Sequence, residues 1–250
     1  MIKILVCGIG GKMGANVLDV VAEDGGAEVI CGVDTHSNSA KVPTYASFNE
    51  VKEKIDAVID FSSPAALHGE MEWAVRNGVP VVLATTGYTA DDIKYIENCA
   101  KKIAVFRTAN FSVGVNLLVK LVREAAEALG EKFDIEIVEK HHRLKVDAPS
   151  GTALMLAESA NGAFGNKKEY LNGREGIVGK RGNEIGIHAV RGGTIVGEHE
   201  VMFAGEDETV TLSHSARSKK VFASGALKAA KWIVGKPAGK YDMKNVLENL

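Results

Sequence analysis

Residues 2–14 read IKILVCGIGGKMG, and the order of residue types within them decides the first fold assignment. The opening run is apolar without alternation, which suits a strand covered on both faces. It stops at Gly8, and glycines recur at 10, 11 and 14 around Lys12 and Met13. Gly8 and Gly10 match the first two glycines of G-x-G-x-x-G, Met13 stands in the third place, and Gly14 comes one later. Small residues between a strand and a helix let backbone amides approach a phosphate where the helix dipole favours negative charge. Lys12–Glu23 has helical character, so the stretch reads as strand, phosphate-binding turn and helix. Asp34 closes the next apolar run, EVICGVD, at the place where a carboxylate accepts bonds from a dinucleotide's ribose hydroxyls. The competing reading is a tight turn without ligand.

The rhythm continues. AVIDF, VPVVLATTG and KIAVFRT are further strand-like runs, separated by helical stretches at Pro64–Asn77 and Ala90–Lys101. Ser63 is a candidate N-cap with Pro64 at the first helical position, and Asp91 and Asp92 fall in the first turn after Thr89. Strands alternating with helices imply βαβ units and a parallel sheet. ATTG (Ala84, Thr85, Thr86, Gly87) and TANFSVG (Thr108, Ala109, Asn110, Phe111 and onward) lie beyond strand ends. They either line a nicotinamide pocket or are ordinary loop chemistry. Asp34 repels a 2′-phosphate, and Thr35, His36 and Ser37 offer no fixed cation before Lys41. NADH is therefore favoured over NADPH, with Lys41 or Lys12 the groups able to reverse that.

After residue 113 the pattern changes. Val113–Leu129 is one long helix, FDIEIVEK alternates with Glu136 and Glu139 among its polar positions, and EIGIHAVRGG, TIVGEHEVMFAG and ETVTLSHSA alternate between glycines. These imply an open mixed or antiparallel sheet. Residues 161–184 are the least regular and read as a mobile or interfacial loop. VFASGALKAAKWIVG is an amphipathic helix packing back on the first domain. The fold class is α/β: a Rossmann-type doubly wound parallel-sheet domain, residues 1–112 and 217–250, plus an α+β domain, 113–216.

Residues 140–153, KHHRLKVDAPSGTA, crowd five potential cations before a Pro-Ser-Gly turn. Ser150 or Asp147 caps the helix that follows, so Lys145, His142 and Arg143 face a helix N-terminus. That arrangement suits one or two carboxylates, the alternative being a solvated basic loop.

Composition narrows the partners. In 250 residues, 30 basic side chains meet 32 acidic ones for a net charge of −2, so neither nucleic acid nor a membrane surface is an expected partner. The N-terminal apolar run meets glycine too early for a signal peptide and lacks a cleavage pattern, and no stretch reaches the length of a membrane span. The expected location is cytoplasmic. Cys7, Cys31 and Cys99 show no metal spacing and read as buried thiols, and His36, His68, His188, His199 and His214 show none either. No metal is expected.

GIGGKMG, ATTG, ANFSVGVN, EKHHRLKVDAPSGTA, RGGTIVGEHEVMF and FASGALKAAKW together resemble the dihydrodipicolinate reductase family, from residue 2 to the end. The motif H-H-x-x-K-x-D-A-P-S-G-T-A is its most specific part. The resemblance implies NAD(P)H-dependent reduction of a cyclic imine dicarboxylate with release of water, and a homotetramer built through the substrate domain. It also implies His141 as catalytic acid/base and Lys145 as proton donor. His142, Ser150, Gly151 and Thr152 would bind the substrate, through its carboxylates. Gly8, Ile9, Gly10, Gly11, Lys12, Met13, Asp34, Ala84, Thr85, Thr86, Thr108, Ala109, Asn110 and Phe111 would hold the cofactor. The chain lacks the arginine many members place beside the acid after the second strand, and Lys219 and Lys220 stand where an arginine is frequent. His199 is a candidate support for the site. Two other readings share the first domain: a homoserine- or semialdehyde-type dehydrogenase, and a non-catalytic dinucleotide sensor.

Overall fold

The computed structural model describes residues 1–36 and 41–248, so Ser37 lies outside the described residues. The chain divides into two compact units, Met1–Ser112 with Lys219–Leu250, and Val113–Ser218. In chain order the first unit contributes β1 (Ile2–Cys7), α1 (Lys12–Asp24), β2 (Ala27–Val33), β3 (Thr44–Tyr45), β4 (Ala57–Asp60), α2 (Leu67–Asn77), β5 (Val81–Leu83), α3 (Ala90–Cys99) and β6 (Ala104–Arg107). The second supplies α4 (Val113–Leu129), β7 (Asp134–His141), α5 (Gly151–Gly162), β8 (Glu169–Asn172), β9 (Glu184–Arg191), β10 (Gly197–Ala204) and β11 (Thr209–Ala216). The chain then returns to the first unit with α6 (Lys220–Ile233), β12 (Gly239–Tyr241) and α7 (Met243–Leu247).

The first unit's sheet runs β12-β6-β5-β4-β1-β2-β3 with every pair parallel. Ile4–Cys7 of β1 and all residues of β4 and β5 are buried, because helices cover both faces and leave no polar side to alternate. This is the doubly wound sheet expected from the sequence. The strand order reverses between β1 and β4, which puts the switch point beside the glycine turn. Thr89 closes a capping box with Asp92 at the start of α3. Pro64–Ala66 form a 3-10 turn instead of opening the α-helix, and α2 begins at Leu67. α6 packs beside α1 and over β4–β6.

The second unit's sheet runs β11-β10-β7-β9-β8 and is mixed: β7–β9 and β9–β8 are parallel, while β10 is antiparallel to both neighbours. One face packs on α4 and α5 through Ile135, Ile137, Val201 and Phe203 against Leu118, Val122 and Leu156. Trimming a side chain buried this completely to alanine costs about 2–5 kcal/mol. β8 lies inside the segment read as an irregular loop. Its four residues are mostly exposed and carry no apolar alternation, so the strand exists by pairing with β9 and not by local preference. Arg174 and Arg181 anchor the rest of that segment on Glu136, which His188 also meets at 2.7 Å.

Candidate active site

The turn after β1 is a cradle that side chains would fill. Gly8 takes φ +75°, and a Cβ there would stand 2.7 Å from the Phe61 carbonyl oxygen and 2.9 Å from Ser62 Cα. At Gly14 a Cβ would stand 2.4 Å from the Ile9 carbonyl oxygen. Gly11 is the N-cap of α1 and brings no side chain to the helix's first amides. An anion fits there on charge and on space. Gly10, Gly11 and Lys12 are exposed, Gly8 and Met13 half-buried. The Ile9 side chain is buried against Gly32, so only its backbone faces the turn. Asp34 reaches the same place: its carboxylate accepts from Gly10 N at 3.0 Å and from His36 N at 2.9 Å. These residues fit a dinucleotide's pyrophosphate and adenosine ribose.

Ala84–Thr86 follow β5 and Thr108–Phe111 follow β6, both at the carboxyl edge of the parallel sheet. Thr86 and Ala109 are exposed, Ala84, Thr108 and Asn110 half-buried, Thr85 buried. Asn110 braces its loop by accepting from Ser112 N at 2.8 Å and, through its carbonyl, from the Thr108 hydroxyl at 3.2 Å. The Phe111 side chain belongs to the packing, with rings of Phe106 and Phe61 at 5.9 and 6.2 Å, so its backbone is what the loop offers. The turn after β4, Phe61–Ser63, lies against Gly8 and joins these loops. Sequence reasoning passed over it because Pro64 drew attention to the helix; its position after a strand was the available signal.

In the second unit the site is organised by a residue that the sequence reading named only among the polar positions of its strand. Glu139 sits on the inward face of β7 with Ile135, Ile137 and His141, and it is 0% exposed. Its carboxylate meets His141 Nδ1 at 2.6 Å and accepts from Ser150 N at 3.0 Å and from both Arg191 terminal nitrogens at 2.7 and 2.8 Å. Burial alone would raise this carboxyl. Arg191, His141 and the Ser150 amide outweigh it and hold the group below the ordinary carboxylate range. An ionised carboxylate only accepts, so His141 donates from Nδ1, and in the neutral ring Nε2 carries the lone pair. Gly197 faces that atom; a Cβ there would stand 3.1 Å from Nε2.

His199 supports the same cluster. Its Nε2 lies 3.0 Å from the Ser150 hydroxyl, and its ring packs edge-on to His141 with centroids 5.1 Å apart. Burial, then the neighbouring His141, pushes its pKa down to about 4, so it is neutral near pH 7. Ser150 is the N-cap of α5 and accepts from Ala153 N at 3.1 Å. Its hydroxyl is thus committed to the helix and to His199, and Ser150 braces the site instead of presenting its side chain. Gly151 is exposed and Thr152 half-buried at the start of α5. Lys145 donates to Asp147 at 2.8 Å, the ammonium holding that carboxyl low. His142 Nδ1 is buried without a hydrogen-bond partner, and Arg143 is exposed. Of the expected residues, the structure brings His141, His142, Lys145, Ser150, Gly151 and Thr152 onto one strand end, one turn and one helix start.

By fold and by site the chain is a Rossmann-type oxidoreductase with a second, mixed-sheet unit. The family described as "Dihydrodipicolinate reductase, N-terminus" matches residues 2–111, and "Dihydrodipicolinate reductase, C-terminus" matches 114–247. A 4-hydroxy-tetrahydrodipicolinate reductase of Caldanaerobacter subterraneus is 49% identical over 249 residues, covering 99% of each chain. One of Clostridium perfringens is 43% identical over 252 residues, again covering 99% of each. The solved dipicolinate-bound dihydrodipicolinate reductase of Paenisporosarcina has a TM-score of 0.82 at 27% identity, covering 98% of this chain and 99% of that one. A myo-inositol dehydrogenase of Corynebacterium glutamicum, at 14% identity and a TM-score of 0.60 over 96% and 90% of the two chains, shares the fold alone.

The chain belongs to the dihydrodipicolinate reductase family. Its activity is the NAD(P)H-dependent conversion of 4-hydroxy-tetrahydrodipicolinate to tetrahydrodipicolinate and water, a step of lysine and diaminopimelate biosynthesis. The sensor and semialdehyde-dehydrogenase readings fall away, since the full-length relatives are reductases of this kind. No helix among the described residues is long and apolar enough to cross a membrane.

Proposed function

We propose that residues 1–112 and 217–250 bind the dinucleotide, that residues 113–216 bind the substrate and build a homotetramer, and that His141 is the catalytic acid/base. The observation that carries the reading is the Glu139–His141 pair at 2.6 Å, placed at the N-terminus of α5. A nicotinamide dinucleotide supplies the hydride. Each turnover adds that hydride, consumes one proton and releases the substrate hydroxyl as water. His141 delivers the proton from Nε2, because Glu139 stabilises the imidazolium through Nδ1 and Gly197 leaves Nε2 open. Lys145 is the second cation and proton donor. Asp147 holds it until a substrate carboxylate competes for it.

The two carboxylates of the substrate are received by the amides of Gly151 and Thr152 at the start of α5 and by His142, whose Nδ1 has no hydrogen-bond partner among the described residues. Ser150 fixes the helix start. Dipicolinate on the Paenisporosarcina reductase, a small dicarboxylate, supports this assignment. In the first unit, Gly8–Met13 receive the pyrophosphate, Asp34 the adenosine ribose, and Ala84–Thr86 with Thr108–Phe111 the nicotinamide half. The carboxylate of Asp34 at the turn favours NADH over NADPH. In this reading the protein works in the cytoplasm.

The test is absorbance at 340 nm with substrate made in situ, NADH and NADPH supplied in turn, for wild type and His141→Gln. The reading expects turnover lost in the variant with NADH binding retained, and a higher kcat/KM with NADH in the wild type. A variant that turns over normally removes His141 from the chemistry.

A further inference from the structure

Behind the glycine turn lies a buried group of ionisable side chains that the chemistry above does not use. Cys7 at the end of β1, Asp60 at the end of β4 and Glu70 on α2 bring one ligand-type atom each within 4.8 Å of one another. Asp60 is 1% exposed and Glu70 0%. The two carboxyls are not equivalent. One oxygen of Asp60 accepts from Ser62 N at 2.8 Å and from the Ser62 hydroxyl at 2.5 Å; the other accepts from the Tyr88 hydroxyl at 3.2 Å. Neither oxygen of Glu70 has a hydrogen-bond partner among the described residues.

Two carboxylates this close and this deeply buried do not both stay ionised. The proton goes to the one with no donors. Burial, then the Asp60 charge, raises the Glu70 carboxyl far above its usual range, and burial raises Asp60 as well, against the pull of its donors. Burial also pushes the Cys7 thiol well up. The donors from Ser62 and Tyr88 make Asp60, not Glu70, the carboxyl of this pair able to hold a negative charge.

The position of that charge is set by the sheet. Asp34 ends β2 and marks the adenosine side; the pyrophosphate falls at the start of α1; the other half of a dinucleotide must cross the ends of β4, β5 and β6. Asp60 ends β4. Its bonds run to Ser62, whose Cα packs on Gly8, and to Tyr88, directly after the ATTG loop. When a reduced nicotinamide gives up its hydride the ring becomes a cation. A buried carboxylate at this end of the sheet would favour that cation and would be indifferent to the neutral reduced ring.

We propose that Asp60 is a positioning residue of the cofactor site, holding the turns after β4 and β5 together and biasing the pocket towards the oxidised nicotinamide, with Glu70 its neutral companion. The inference rests on the dinucleotide reading of the first unit.

The experiment measures dissociation constants for NADH, by its fluorescence, and for NAD+, by competition, in the wild type, Asp60→Asn, Glu70→Gln and Tyr88→Phe. Asp60→Asn keeps the shape and removes the charge. It should raise the ratio of the NAD+ constant to the NADH constant by about three- to tenfold, the scale of one charge acting through a partly screened interior. Tyr88→Phe removes one donor from Asp60 and should shift the ratio the same way by less, which keeps the test open if Asp60→Asn does not fold. Glu70→Gln, neutral for neutral, should leave the ratio unchanged. A folded Asp60→Asn with the wild-type ratio, or Glu70→Gln behaving like Asp60→Asn, overturns the proposal. A wild-type protein that binds neither nucleotide overturns the dinucleotide reading itself, and this inference with it.

Discussion

Glu139→Gln separates the support of His141 from its chemistry. Glutamine fits the space of glutamate, so no cavity forms, but the charge that faces Arg191 and His141 disappears. Two effects follow. The first is on stability. Arg191 keeps its side-chain positive charge at about one-fifth exposure with its bidentate partner gone, retaining the Asp147 carbonyl at 2.6 Å. Breaking a fully buried pair costs roughly 3–5 kcal/mol, and the partial exposure of Arg191 puts the loss near or just below the bottom of that range. The second is on catalysis. His141 loses one charge-assisted hydrogen bond of about 1.5–3 kcal/mol, felt only when the ring is an imidazolium. If proton delivery limits turnover, kcat falls roughly 10- to 100-fold. The KM for NADH should not move, since Glu139 belongs to the other unit. The assay is kcat and KM from pH 6 to 9 at 340 nm, with urea unfolding as the control for stability. A folded variant whose kcat stays within about threefold of wild type would refute the argument. So would one whose loss falls entirely on the KM for NADH.

Three further outcomes are expected. Gly197→Ala puts a methyl 3.1 Å from His141 Nε2 and should lower kcat by about tenfold with NADH affinity unchanged; equal turnover would mean that Nε2 does not face the substrate. Gly8→Ala places a side chain at φ +75° against the Phe61 carbonyl and should weaken NADH binding by about tenfold or more, read by fluorescence titration. His199 is held at a pKa of about 4, below its value in the unfolded chain. As pH falls from about 6.5 towards 4 the unfolded state therefore binds a proton that the native state refuses, and up to about 3 kcal/mol of stability is lost across that window. Comparing urea unfolding of wild type and His199→Gln at pH 7 and pH 4.5 cancels the carboxyl contributions common to both. The variant should lose less on acidification, and equal losses would show that His199 is not the group responsible.

The first unit was largely legible because burial on both faces writes itself as unbroken apolar runs, and because a phosphate turn needs glycines at fixed places. The elements that escaped are of another kind. β3 and β12 have two and three residues at the sheet's edges, too few to show any period. β8 is made by its neighbour β9. The 3-10 turn at Pro64–Ala66 uses the proline as expected of a helix start, but the chain needs one more turn before Leu67 can enter the core. Such decisions are tertiary, and local composition does not contain them.

The site shows a sharper version of the same limit. Residues 140–153 announce an anion site through charge, which any window of sequence displays. Glu136 and Glu139 read alike as polar positions of the strand, without a face, because glutamate is usually exposed. Period-two parity separates them: Ile135, Ile137, Glu139 and His141 must share a face, and Ile137 is wholly buried. An acid on the core face two residues before a histidine has one inexpensive way to remain ionised, which is to be bonded from every side. Arg191 was present in the quoted RGG stretch, 52 residues away in sequence and directly across the β7–β9 pairing from His141. Parity would have turned Glu139 inward, but only the parallel register of β7 with β9 brings Arg191 to it. The histidine proposed as acid/base could thus be picked out from sequence, whereas the carboxylate that fixes its tautomer required the sheet.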